Sequence, residues 1–485
     1  MSRARRDANG RRGTVLAITL MIVALMTMTA AAMLFRTTAE VTGAAAGRRG
    51  EQARLAAMSG IRQAISILDA PADTPVDIVD NPDLFQNQRV ADHGTAAWYF
   101  TVFAPAAEAT DAVRYGLIDE AGKININTAD EETLANLGLD AERVACLLDW
   151  RDRDHEPRSD GAEQAYYASL QPIPYRTKNG PVITLEELLL VKGFDASVIV
   201  GEDANVNGLL DANEDDGNES FPPDDADGQL DRGLAAVATP ISYERNMSVD
   251  GRPRININGE ESELRKLASE TSLPEQTVEF IRTVRKAGER FAHPAQLLEM
   301  RATVPADAVG GDERSRRRGR GSRRGPENVT VTSGVGTREL PEVLDRLTTR
   351  SGGSKTKVPG LVNVNTASAN VLAALPEISD NTARQIVDLR DSIADEQKQT
   401  PAWLYAEGLL DADRFRQVAP RLTARSFQYR VRSVGFAWPG GQFRVVEAVI
   451  DLAGERPRIM YLRDLTRRGL PTAIDVDELT GAVMP

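Results

Sequence analysis

The segment Asp203-Ala-Asn205-Val-Asn207-Gly208-Leu209-Leu210-Asp211-Ala-Asn213-Glu214 has the residue types and spacing that hold a hard cation, filling every defined place of the loop pattern D-x-[DN]-x-[DN]-G-x5-E. Calcium takes about six to eight oxygen ligands. This spacing offers the side chains of Asp203, Asn205 and Asn207, the Leu209 carbonyl, Asp211 directly or through water, and both carboxylate oxygens of Glu214. Gly208 permits the sharp turn at the centre. No Lys or Arg lies between Lys192 and Arg232, so the acids of this stretch repel one another unless a cation joins them. An acidic, ion-free loop with chance spacing is the competing reading. A weaker second loop, Asp225-x-Asp227-Gly228-x-x-Asp231, has Pro223 and Leu234 where acids should open and close it. It could supply ligands to a paired ion but is incomplete alone.

Asp149, Asp152, Asp154, Glu156 and Glu163 form another acidic group; capping and salt bridging are the commoner fates of such carboxylates, with metal binding the alternative. Catalytic patterns are missing. His93, His155 and His293 have no zinc-ligand spacing. Cys146 sits in the apolar run Val144-Ala-Cys-Leu-Leu148 and reads as a small core residue. There is no nucleophile elbow, phosphate loop or dinucleotide fingerprint. The expectation is a protein that is not an enzyme, with calcium as its cofactor.

The 485 residues suggest two to four domains, and 41% apolar with 27% charged residues is the balance of a folded body. A net charge of −13 argues against nucleic acid as the main partner. With one cysteine, no intrachain disulfide can form.

The elements that carry these groups begin with an anchor. Residues 1–13 are polar and basic, and residues 14–35 are an uninterrupted uncharged run, long enough to span a bilayer core, which takes about 20 helical residues. The arginines before it should remain cytoplasmic and send the body to the other side. A cleavable secretory signal cut near Ala30-Ala31-Ala32 is the alternative. Beyond the run, Leu55, Met58, Ile61, Ile65 and Leu68 recur at helical steps, so an amphipathic spine helix is expected over 36–70. Strands are expected at 97–103, 113–126, 427–436, 443–452 and 457–465, the last three as an antiparallel meander. Lys123-Ile-Asn-Ile-Asn127, Arg254-Ile-Asn-Ile-Asn258 and Leu361-Val-Asn-Val-Asn365 repeat one pattern, each followed by spaced leucines; they read as three related helical modules.

Arg11-Arg12-Gly13 before the apolar run resembles a type IV prepilin leader, which implies cutting between Gly13 and Thr14. The fifth residue thereafter is Ile18, where most pilins carry glutamate. Asp149-Trp150-x-Asp152-x-Asp154, Gly161-Ala162-Glu163, Tyr166, Pro174-Tyr175, Asn179, Pro181, Glu187-Leu188 and Gly193 closely resemble the general secretion pathway protein K family. The lack of a glutamate at Ile18 is typical of that family, the minor pseudopilins of type II secretion systems. The resemblance implies an α+β chain with a type IV pilin-like fold, that is, a long N-terminal transmembrane helix plus an antiparallel sheet, with a large inserted helical domain of SAM-like or helix-hairpin-helix-like modules. The implied divisions are leader 1–13, transmembrane helix 14–35, spine 36–70, first sheet part 71–127, inserted domain 128–425 and C-terminal sheet 426–485. Within the insert lie the acidic loop 201–234, an Arg-rich linker 310–326 and the third module 361–425. The implied role is at the tip of the pseudopilus, initiating or capping the fibre that exports folded proteins. The implied partners are other minor pseudopilins, the major pseudopilin, the inner membrane and secreted substrates, with the body in the periplasm. Because 376–390 also resembles the helix-hairpin-helix of competence DNA receptors, a membrane-anchored DNA-uptake protein is the alternative. Glu377 and Ser379 stand where that hairpin needs glycine.

Overall fold

The computed structural model describes residues 4–70, 77–92, 94, 96–106, 112–221, 223–309 and 328–471. The Arg-rich linker expected at 310–326 lies outside the described residues, as do residues 1–3 and the side chains of 4–13.

One continuous helix runs Ala4–Leu68. Its apolar portion is exposed, and among the described residues it is the helix long and apolar enough to cross a membrane. From Gly50 onward the helix is docked on the sheet. The buried face is Ala53, Ala56, Ala57, Gly60, Ile61 and Ala64. The expected stripe is therefore partly displaced: Ile61 is in the core and Met58, Ile65 and Leu68 pack at its margin, but Leu55 points to solvent. The reason is close approach. A Cβ on Gly435 would lie 2.2 Å from both Ala53 O and Ala57 N, so small residues bring the helix backbone directly against the sheet.

That sheet orders its strands Gln88–Asp92, Ala97–Pro105, Gln428–Trp438, Phe443–Asp451 and Arg458–Asp464, all antiparallel neighbours, with two short strands at its side. Strands Ala97–Pro105 and Gln428–Trp438 pair over Phe103 to Ala97 against Arg432 to Trp438. Two chain segments over 300 residues apart thus share one sheet, and the intervening residues form an insert. Alternation divides the faces: Val102, Val431, Ala448 and Ile450 meet the helix, and Arg430, Arg432 and Glu447 face the other way, beneath the insert. The strand expected over 113–126 is broken into two-residue pieces by the turn Glu120–Gly122, and the strand at Gln88–Asp92 lacked an alternation strong enough to read.

The three repeats fold alike. Ile124–Asn125, Ile255–Asn256 and Val362–Asn363 each make a parallel pair with a later segment, Ala238–Thr239, Leu347–Thr348 and Leu422–Thr423 respectively. Within each repeat the first Asn bends the chain by accepting the amide of the second at 2.9 to 3.0 Å. The second Asn then grips a distant backbone: Asn127 exchanges hydrogen bonds with Val182, Asn258 does so with Phe291, and Asn365 donates to Lys398 O. Leucines Leu134, Leu264, Leu267, Leu372 and Leu375 from all three modules join a single core.

Candidate functional site

The loop at 203–214 is tied into one hydrogen-bonded knot by its own oxygens. Asp203 accepts the amides of Asn207 and Gly208 at 2.9 and 3.0 Å. Asn205 Oδ1 accepts the amide of Asn207, and Asn207 Oδ1 that of Leu209. Asp211 Oδ2 takes the side-chain amides of Asn205 and Asn207 at 2.6 and 3.0 Å. Glu214 closes the ring by receiving Ala204 N–H at 2.9 Å and Asp211 N–H at 3.1 Å. Gly208 has φ of +79°, and a Cβ there would strike Pro105 at 2.4 Å, so the turn needs glycine for conformation and for space.

The electrostatics are unusual for an acidic surface loop. Asp203 and Glu214 are 4% and 1% exposed, and every donor just named is neutral. Burial pushes both carboxyls up, Glu214 to about 7, with Asp203 and Asp211 adding repulsion at Glu214. The arginines nearby are committed to carbonyls: Arg432 to Val206 O and Arg232 to Gly208 O and Ala106 O. Buried carboxylates held by neutral amides and mutually repelling fit the donor set of a hard cation. Calcium bound here would supply positive charge, and Asp203, Asn205, Asn207, the Leu209 carbonyl, Asp211 and Glu214 would be the residues to hold it.

The weaker loop is placed differently. Asp225, Asp227 and Asp231 are exposed, and their segment is fastened by a residue the pattern omits. Glu202, 7% exposed, accepts Asp225 N–H and Asp231 N–H at 3.3 and 2.8 Å. Glu202 directly precedes the loop pattern and matches none of its positions, so spacing alone could not find it.

Of the processing pair, Gly13 and Thr14 lie within the long helix, and Thr14 is exposed. In the third module, helices Ala369–Ala373 and Asp380–Arg390 are joined through Glu377, which has φ of +66°. Its carbonyl accepts from Arg414 at 2.7 Å, and Ser379 caps the second helix. These positions are engaged in contacts within the protein.

Sequence reasoning also missed a buried charged layer between sheet and insert. Glu447, fully buried, meets Arg430, Arg432 and Arg463 at 2.6, 2.7 and 3.0 Å. Arg430 also pairs with Glu120 at 2.6 Å, and Arg463 with Glu186 of the insert. The surrounding guanidinium groups overcome burial and hold Glu447 well below the usual carboxylate range. Asp451 accepts from Tyr243 Oη at 2.7 Å and pairs with Arg458 at 2.8 Å, a second tie between the two parts.

Two stretches of the chain, residues 127–200 and 362–423, match family models described as type II secretion system (T2SS), protein K. They are the first and third modules. Type II secretion system protein K of Pectobacterium carotovorum subsp. carotovorum is 41% identical over 69 residues, 13% of this chain and 21% of that protein. The protein of the same name from Klebsiella pneumoniae is 27% identical over 205 residues, 39% of this chain and 60% of that protein. Over its first and third modules the chain is similar to type II secretion system protein K. The matched stretches span about a fifth and three fifths of those two protein K relatives. A crystal structure of the GspK-GspI-GspJ complex from the enterotoxigenic Escherichia coli type 2 secretion system aligns over 88% of this chain and 99% of the solved one, with 12% identity and a TM-score of 0.32.

Proposed function

We propose that this chain is a member of the type II secretion system protein K family and a minor pseudopilin with a pilin-like architecture. The helix from Thr14 anchors it in the inner membrane, the head stands in the periplasm, and the head associates with other minor pseudopilins at the leading end of the pseudopilus. The observation that carries this reading is the helix itself. A single rod, Ala4–Leu68, is apolar and exposed over its first part and packed on the sheet from Gly50 to Ala64. The same rod can thus lie in a bilayer and act as the spine of a fibre subunit, with the insert riding above.

Ile18 supports a terminal place. A carboxylate inside an apolar layer is tolerated where it meets a partner charge, and a chain with isoleucine there makes no such contact with a subunit above it. In this reading the prepilin cut falls between Gly13 and Thr14, and calcium at 203–214 stiffens a loop that touches the sheet through Arg432 and Val206.

Association tests the reading. The full chain in detergent, mixed with the minor pseudopilins of its own secretion system, is expected to elute with at least one of them in a stable complex. Elution apart from all of them, with DNA bound instead at low salt, would overturn it in favour of the uptake reading.

A further inference from the structure

Between the first module and the insert-facing side of the sheet lies a cavity of about 260 Å³. Its walls are apolar: Leu185, Ile199 and Val200 come from the module, and Val449 comes from the sheet. Ile183, Leu189 and Met460 stand at the mouth, 66%, 49% and 42% exposed. Large apolar side chains left in water around a cavity mark a place for an apolar ligand.

The polar lining is unevenly charged. Five cations reach the cavity, Lys123, Arg430, Arg432, Arg463 and Arg468. Among the described residues their ion pairs use three carboxylates, Glu120, Glu186 and Glu447. Asp203, which Arg432 also faces, faces Arg232 as well. Two cations are left short. Lys123, buried, donates at 2.7 Å to the Ala235 carbonyl, a neutral partner. Arg468 comes no closer than 4.0 Å to Glu186 Oε1, which Arg463 already holds. Burial, with the neighbouring guanidinium groups adding to it, pushes Lys123 down to about 8 against the pull of Glu120 and lowers Arg468 as well. Both stand near Arg432, so a single anion lies within the field of both. In a chain of net charge −13 this surplus of positive charge is a local reversal, and it concentrates anions.

We propose that this cavity binds a small amphipathic monoanion, a carboxylate on an apolar body such as a free medium-chain fatty acid, with its head drawn to Lys123 and Arg468 and its body among Leu185, Ile199, Val200 and Val449. A single negative charge suits these walls, because each further charge taken from water into apolar surroundings is costly. The volume lies just under the range of about 300–1,000 Å³ for drug-sized ligands, so the body is short. The mouth lies beside Met460 on the edge strand Arg458–Asp464. Bound there, the ligand touches module and sheet at once and adds to the ties that fix the insert.

Titrating sodium octanoate into the full chain in a nonionic detergent, read by calorimetry and by thermal shift, tests the site. One octanoate per chain is expected to bind, with a melting temperature that rises with its concentration. Arg468→Gln removes one partner of the head and should weaken binding roughly tenfold, the loss of one charge-assisted hydrogen bond. Ile183→Asp puts a repelling charge at the exposed mouth and should do the same; it carries the test should Arg468→Gln fail to fold, judged by circular dichroism. Octanol, the same body without the charge, and inorganic phosphate, a charge without the body, should each bind roughly tenfold more weakly or worse. Octanoate uptake that equals that of octanol and survives both substitutions is partition into micelles and overturns the proposal. Phosphate bound as tightly as octanoate is a plain anion site and overturns the assigned ligand class.

Discussion

On one face of the main sheet, Val102, Val431, Ala448 and Ile450 receive Ala57, Ile61 and Ala64 of the long helix. On the other, Glu120, Arg432 and Glu447 are buried under the insert, with Arg430 half-buried among them. The first contact is held by shape and apolar burial, which is non-directional and sensitive to volume. The second is held by matched charges, which contribute little net stability but penalise any arrangement that leaves one unmatched. The helix can therefore be any rod of small residues that fits, whereas the insert must sit in one orientation.

The largest expected effect comes from breaking the charged face. Glu447→Ala strands three arginines and should lower stability by about 3–5 kcal/mol in urea denaturation; a loss under about 1 kcal/mol would show that the layer does not orient the insert. Next is the apolar face. Gly435→Ala forces a methyl group into the helix backbone and should cost about 1–3 kcal/mol by overpacking, read as a lower melting temperature with the charged layer unaffected.

The two kinds of acid also respond oppositely to pH. Glu447, Glu120 and Asp451 are held below the usual range by their arginines and hydrogen bonds despite burial. Their stabilisation is present above the unfolded carboxylate value, about 4, and is lost as pH falls through the depressed folded values. Glu214 is pushed up to about 7 by burial, so its contribution is present in acid and lost as pH rises from about 4.3. Chelated protein should thus lose stability across that interval, and calcium should restore it most at pH 7 and above. A calcium increment in melting temperature that is flat with pH would contradict the assignment. The smallest difference is between repeats: Asn127 uses both ends of its amide, whereas Asn365 Oδ1 has no donor. Asn127→Ala should therefore cost about 1 kcal/mol more than Asn365→Ala.

Much of this was legible. The meander at 428–464 showed its alternation and its Gly-containing turns, the repeats showed their Asn pairs, and the 203–214 loop was complete as a pattern. Other parts were hidden for definable reasons. The closing segments Ala238–Thr239, Leu347–Thr348 and Leu422–Thr423 are two residues long, too short for any period. Arg430, Arg432 and Glu447 alternate with apolar neighbours and so read as a solvent face, but the insert covers them. Leu55 matched the helical stripe, but the sheet selects the small residues beside it. Glu202 acts through a position that no local motif marks.

The central claim is that the apolar rod stays attached and serves as the spine. N-terminal sequencing of the protein extracted from membranes tests it most directly: the account predicts a first residue of Thr14, and a start near Met33 would contradict it.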